Sequence, residues 1–338
     1  MSAGSASTAV TLAHVAEAAG VSIATASRVL NHSARVNPVA YQKVCEAATR
    51  LGYRRRRAPW GQGGRPVRAV AAVVHAGHRR LFTEPFFARF IGAAETELGR
   101  IDIPLLVISA AGSLTGTVVR YLRGNHVDGV IVLSDHGPLP LAASLTALGV
   151  PMTVVGRPLQ PAPMSYVDVN NRGGAREAVE YLLGQGRRAI AHIAGPPDTG
   201  VGTDRLAGYQ DAMRAAGIAD APVAYGDWGQ ASAAHAMQRL LDQRPKLDAV
   251  FAACDVMAAG ALNALHRAGR RVPEEVAVVG FDDHALAQQV RPTLTTVRQP
   301  VEELAAVAIQ RLLAVAGGQD ELTDPAVLAT RLIVRESA

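Results

Sequence analysis

The sequence predicts an α/β protein in two parts: a small three-helix head, and a larger body of two Rossmann-like lobes with parallel sheets. Three observations carry this. The chain has 338 residues, more than one ordinary domain uses. Charge is spread unevenly: the total is +5, but residues 1–68 hold ten Arg and Lys against only Glu17 and Glu46, an excess of eight that leaves the rest mildly acidic. Beyond the head, apolar strand-like runs alternate with helical stretches, the pattern of parallel sheets covered on both faces.

The head is expected over 8–53. Leu12, Val15, Ala16 and Ala19 fall on one helical face, with Thr11 as a cap and Gly20 in the turn that follows. Ser22 can cap a second helix whose inner face is Ala26, Val29 and Leu30. Asn37-Pro38 opens a third, with Tyr41, Val44, Ala48 and Leu51 turned inward and Gly52 ending it. A helix, a short Gly turn and a second short helix make a helix-turn-helix, whose second helix enters the major groove. Ile23, Ala24, Ser27 and Arg28 are left facing outward there. Arg28 can bond a guanine bidentately, and Ile23 and Ala24 can touch thymine methyls. Ser22, Thr25 and Asn31 suit phosphates. The basic excess fits a polyanion partner.

The body is expected over 67–338. Its strands are read at 69–74, 104–108, 129–133, 151–155, 189–193, 249–253 and 276–279. Its helices are read at 86–98, 139–148, 175–183, 204–216, 231–241 and 258–268. The first lobe is placed at about 67–158 and 292–324, the second at about 159–291 and 325–338. Ligands of such folds sit beyond the carboxyl ends of the strands. Ser134, Asp135, Arg157, Asp255, Asp282 and Asp283 stand there.

Val10-Thr11-Leu12, Val15 through Ser22, Thr25, Ser27 through Asn31 and Leu51-Gly52-Tyr53 together resemble the head of the LacI/GalR family of bacterial regulators. The body resembles the periplasmic-binding-protein type I fold of the same family. That likeness rests on Glu84-Pro85-Phe86-Phe87, Val127 through Ile131, Asn170 through Gly174, Ala194-Gly195-Pro196, Asp204 through Tyr209, Ala253 through Ala258, Val279 through Asp283 and Leu294 through Pro300. The resemblance implies a homodimer that reads a pseudo-palindromic operator under the control of a small molecule, expected to be a carbohydrate, held between the lobes. It places Ile23 and Ala24 at specificity positions, Arg28 at a base-reading position, Arg205 as the ligand clamp and Asp282 as a hydroxyl acceptor. Phe86, Phe87 and Trp228 would wall the site and Gln299 would stand near it. Thr11, Arg35 and the run Arg54, Arg55, Arg56 and Arg57 complete the expected DNA contacts.

The sequence also departs from the family. The resemblance implies a hinge helix over the linker 54–66, but Pro59, Gly61, Gly63 and Gly64 oppose a helix and Gln62 stands where a Leu is expected. Either the Arg run meets phosphates or a narrow minor groove, with Trp60 as a wedge, or the segment is a solvated tether with Trp60 packed nearby. Cys254 replaces an Asn expected to contact ligand, Glu84 replaces Asn or Asp, and residues 75–80 are unusually basic. A charged, modified or larger ligand therefore stays open.

No phosphate-loop, nucleophile-elbow or His-Glu-x-x-His pattern occurs, so neither enzyme activity, a cofactor nor a metal is expected. Cys45 and Cys254 are too far apart for a disulfide framework or a cysteine zinc site. The start lacks a signal-peptide pattern and no apolar run is long enough to span a membrane, so the expected location is the cytoplasm, at the nucleoid. A transporter's solute-binding protein would not need the basic head. The end carries no leucine heptad, so a dimer is expected in place of a tail-bundled tetramer. The rival reading is a DNA-binding regulator that is ligand-independent or answers to a partner protein.

Overall fold

The computed structural model describes residues 11–31, 37–51, 67–76, 78–110, 112–124, 126–134, 141–147, 149–159, 164–317 and 324–338. Two compact units divide the chain: one holds the N-terminal helices together with 120–126, the other the remainder from Val67.

The first unit's helices are α1 (Leu12–Ala19), α2 (Ile23–Asn31) and α3 (Pro38–Arg50). Each starts where a side chain replaces the missing backbone acceptor of a first turn. Thr11 accepts from the amide of His14, whose ring in turn receives the Thr11 amide. Ser22 Oγ accepts from Thr25 at 3.1 Å, and Asn37 Oδ1 from Val39 at 2.9 Å with Pro38 in the first helical position. Gly20 ends α1 in the left-handed region at φ 65°. Val15, Ala16, Ala19, Ala26, Val29, Val44 and Ala47 form the buried core. Tyr41, expected inside, is 42% exposed, and Ala47 takes its place in the core. The helix turns Val44 and Ala47 inward as an i, i+3 pair, which carries position 41 to the rim.

Beyond these helices the chain runs in order through β1 (Val70–Val74), α4 (His78–Thr83), α5 (Pro85–Gly99), β2 (Leu105–Ser109), α6 (Thr115–Arg123), β3 (Gly129–Leu133), α7 (Leu141–Thr146), β4 (Met152–Val155), β5 (Tyr166–Val169), α8 (Asn171–Gly184), β6 (Ile190–Ala194) and α9 (Gly200–Ala215). It continues through β7 (Val223–Tyr225), α10 (Gln230–Gln243), β8 (Ala249–Ala252), α11 (Asp255–Arg267), β9 (Ala277–Asp282), α12 (Ala285–Gln289), β10 (Thr295–Arg298), α13 (Val301–Ala316), β11 (Ala326–Leu328) and β12 (Arg331–Ile333). Two six-stranded sheets result, ordered β11-β5-β4-β3-β1-β2 and β12-β10-β9-β8-β6-β7. Every pairing is parallel except β10 with β12.

β1, β3 and β4 are buried along their whole length, which is why they read as continuous apolar runs. α5 and α13 cover one face of the first sheet through Phe87, Phe90, Leu98, Leu304, Ile309 and Leu312. α8 and α9 cover one face of the second sheet, and α10 and α11 the other.

The crossings between sheets fall later than expected. Tyr166–Val169 pairs with β4 and belongs to the first sheet, Thr295–Arg298 pairs with β9 in the second, and Ala326–Leu328 pairs with β5 in the first. The expected breaks before 159, 292 and 325 are corrected to follow these strands. They are three or four residues long and carry Asp168, Thr295, Thr296 and Arg298, so only pairing reveals their sheet. α13, sixteen residues long, lies outside the expected helical stretches.

α8 and α9 meet closely at Gly208, where a Cβ would overlap the Arg172 carbonyl oxygen and the Ala175 methyl. Gly208→Ala is expected to lower stability by about 1–3 kcal/mol through this overpacking, as read by urea or thermal denaturation. Unchanged unfolding would show that the two helices yield there at no cost.

Candidate functional site

In the first unit, α2 presents Ser22, Ile23, Ala24 and Arg28 to solvent, while Thr25 and Ser27 are half-buried. Ile23 is 56% exposed, a large apolar side chain that the head's core does not use. Ser22 and Thr25 bond each other at 2.9 Å while capping the helix. Thr11 is exposed at the start of α1. The side chain of Asn31, and Arg35, Arg54, Arg55, Arg56, Arg57, Trp60 and Gln62, lie outside the described residues.

The second unit holds a cleft of about 760 Å³, counting the part open to solvent. Its walls come from the carboxyl ends of strands in both sheets and from the first turns of the helices that follow. Ser134, Arg157 and Asp282, expected from strand ends, line it together with Phe86, Phe87, Arg205, Trp228 and Gln299, which the family resemblance implies. Arg80, Glu84, Asp168 and Thr199 line it as well. For Arg80 the signal is the unusually basic stretch 75–80, and for Glu84 it is the replacement of the expected Asn or Asp. Asp168 itself interrupts the apolar run of its four-residue strand, so the strand is not read from the sequence.

Arg205 on α9 is 3% exposed. Its Nε donates to Asn171 Oδ1 at 2.9 Å, and its Nη1 to the Ala253 carbonyl and, at 3.3 Å, to Asp282 Oδ1. Its guanidinium lies 3.7 Å from the Phe281 ring centre. Gln299 donates to the same Asp282 oxygen at 2.6 Å. On the other side Asn171 donates to Asp168, which also accepts the Arg157 amide at 2.8 Å. The network thus runs from the end of β5, through the first crossing, to the ends of β9 and β10.

Burial pushes the Asp282 carboxyl up to about 6, against the opposing pull of Arg205 and Gln299. Burial likewise raises Glu84 and Asp168, opposed at Glu84 by Arg80. Ser134, Trp228 and Asp282 hold φ of 58°, 70° and 117°, a region that side-chain-bearing residues rarely occupy and that clusters at functional sites. The Trp228 indole packs over Gly195, where a Cβ would strike the ring, and its buried Nε1 has no acceptor among the described residues.

Two expected site residues do not line the cleft. Cys254 caps α11, its Sγ accepting the Met257 amide at 3.4 Å, and burial raises its thiol well above the usual value. Asp255 is fully buried and accepts from Thr296 Oγ1 at 2.5 Å and the His284 amide at 2.8 Å. Asp283, also read at a strand end, is not among the lining residues: it pairs with Arg298 and Arg335, and His284 caps α12. Asp135 lies outside the described residues. Among the described residues no cluster of three or more His, Cys, Asp or Glu is placed to hold a metal, and no helix is long and apolar enough to cross a membrane.

Arg157, which follows β4 of the first sheet, grips Asp204 on α9 of the second lobe with both Nε and Nη2, at 2.8 and 2.7 Å. This pair ties the two walls together at the cleft edge.

Residues 11–56 match the lacI family of bacterial regulatory proteins, and residues 159–338 match the periplasmic binding protein-like domain. The chain is 42% identical to the HTH-type transcriptional regulator CelR of Thermobifida fusca, over 97% of this chain and 98% of the relative. A solved CelR–cellobiose complex superposes with a TM-score of 0.79 at 40% identity, covering 97% of this chain and all of that one. The lac repressor dimer bound to operator and the anti-inducer ONPF superposes at 0.72 with 27% identity, covering 98% and 99%.

A double-mutant cycle of Arg157→Ala and Asp204→Ala is expected to give a coupling of about 1 kcal/mol or less, because the pair is partly exposed. Chemical denaturation measures it, and additive losses would mean the pair contributes nothing.

Proposed function

The chain belongs to the LacI family of bacterial regulatory proteins, and from that premise we propose that it is a homodimeric repressor released from or held on its operator by a neutral disaccharide of the cellobiose type. As a member of that family it is a DNA-binding transcriptional regulator and not an enzyme.

The observation that carries the ligand reading is the cleft's composition. Aromatic side chains, Phe86, Phe87 and Trp228, stand with convergent polar groups, Arg205, Asp282 and Gln299. Apolar walls with a few placed donors and acceptors suit a sugar, which offers both C–H faces and hydroxyls. The likeness to a cellobiose-bound regulator over the whole chain supports the same class. Cys254 and Asp255 act behind the wall in this reading, as helix cap and buried acceptor.

Walls drawn from both sheets let one ligand touch both lobes. A ligand shifts the balance of lobe arrangements only as far as it binds one better than the other. Two heads of a dimer would read the two halves of a pseudo-palindrome, with Arg28, Ile23 and Ala24 of each on base edges and Thr11, Ser22, Thr25 and Ser27 at the backbone. The likeness to an operator-bound repressor dimer supports that arrangement. Such a regulator works in the cytoplasm, at the chromosome.

Selection of bound duplexes from a random library, with and without cellobiose and related sugars, tests the reading. A recovered pseudo-palindrome whose binding responds to a sugar is the expected result. A preferred sequence indifferent to every sugar would favour the partner-controlled alternative, and no preferred sequence would overturn the operator reading. Arg28→Ala should weaken operator binding by about 1–3 kcal/mol and relax one base position. A uniform loss across sequences would reveal a phosphate contact instead. Sugar affinity should hold at neutral pH and fall as pH drops through about 6, because hydroxyls donate to ionised Asp282 and its protonation removes that acceptor. Titration calorimetry across that range checks it, and a flat profile would remove Asp282 from the contact.

A further inference from the structure

Three guanidinium groups line the cleft, and each already faces a carboxylate. Arg80 donates to Glu84, Arg157 to Asp204 and Arg205 to Asp282. Asp168 adds another carboxylate to the wall. The described lining therefore offers a phosphate no cation that lacks its own counter-charge.

The acceptors are arranged to a different end. Arg80 sends both Nε and Nη2 to the same oxygen of Glu84, Oε2, at 3.0 and 2.6 Å. Oε1 accepts no hydrogen bond from the described residues. Asp282 is held in the same one-sided way, since Arg205 and Gln299 both reach Oδ1 and no described residue donates to Oδ2. Glu84 occupies the N-cap position of α5, yet its side chain makes no capping bond there. It lines the cleft in Arg80's grip instead. Glu84 belongs to the first-sheet wall and Asp282 to the second, close enough for the Glu84 charge to act on Asp282.

We propose that Glu84 selects the ligand: its Oε1 and the Oδ2 of Asp282, on opposite walls, each accept a hydroxyl proton of an uncharged sugar, and the two carboxylates together repel a phosphorylated one. The inference rests on the sugar reading above. Arg80 is a positioning residue, since it fixes which oxygen of Glu84 is left for the ligand. The charged groups facing Glu84 are Arg80 from α4, Arg205 from α9 and Asp282 from β9, and the buried Cys254 thiol at the start of α11 also feels its charge. Burial raises the Glu84 carboxyl and Arg80 opposes the rise, so loss of Arg80 moves protonation of Glu84 to higher pH.

Titration calorimetry of the full chain tests this, with cellobiose, glucose and the 6-phosphate of each, from mildly acidic to mildly alkaline pH. The wild type is expected to bind a neutral sugar and to discriminate against its phosphate. Glu84→Gln should bind the neutral sugar at least about tenfold more weakly, with a flatter acid limb and less discrimination. Arg80→Leu should lose affinity at a higher pH than the wild type, which keeps the test open should Glu84→Gln fail to fold. Wild-type affinity and pH profile in Glu84→Gln would overturn the proposal. So would a wild type that binds a phosphate as tightly as its parent sugar, and that result would leave the sugar reading standing. A wild type that binds none of the four would overturn the sugar reading and this inference with it.

Discussion

A guanidinium taken out of water costs several kcal/mol unless its N–H groups find acceptors and its charge a partner. Arg205 meets that demand with groups from three separate places: Asn171 at the start of α8, the Ala253 carbonyl after β8, and Asp282 together with the face of Phe281 at the end of β9. Those places are brought together because one buried charge needs them all. Asn171 in turn holds Asp168 of the first sheet, and Gln299 reaches Asp282 from the end of β10. The satisfaction of one cation therefore organises the cleft floor and reaches the first two of the three crossings between the sheets.

The same geometry explains where backbone strain collects. Ser134, Trp228 and Asp282 adopt positive φ where strands end and the chain must turn before its next element. Such conformations persist only when the surroundings over-determine them. For Asp282 the surroundings are Arg205 and Gln299, and for Trp228 the tight seat over Gly195. The result is a cleft with its polar groups placed before any ligand arrives, which lowers the ordering cost of binding.

Most of the cleft was legible in the sequence, since strand ends can be located from apolar runs and open parallel sheets bind ligands there. Phe86, Phe87, Arg205, Trp228, Asp282 and Gln299 follow from that rule and from family resemblance. Arg80 was visible only as part of an unusually basic stretch and Glu84 only as a departure from the family, because nothing local shows that α4 and the cap of α5 bring a cation and a carboxylate together in the cleft. Cys254 and Asp255 looked like site residues for the opposite reason. Their position at a strand end is right, but their side chains are engaged elsewhere: Cys254 caps its own helix through the Met257 amide, and Asp255 is bonded by Thr296, 41 residues away.

By itself the sequence determined the two-part architecture, the capped helices of the head, the outward face of α2 and the seven apolar strands. Capping and periodicity are local, and a buried parallel strand declares itself by its apolar run. Only the tertiary structure decided which sheet receives the short strands at 166–169, 295–298 and 326–328, and which carboxylate oxygens are left open in the cleft. Those outcomes depend on pairing and on competition among donors distant in sequence, and no window of neighbouring residues contains them.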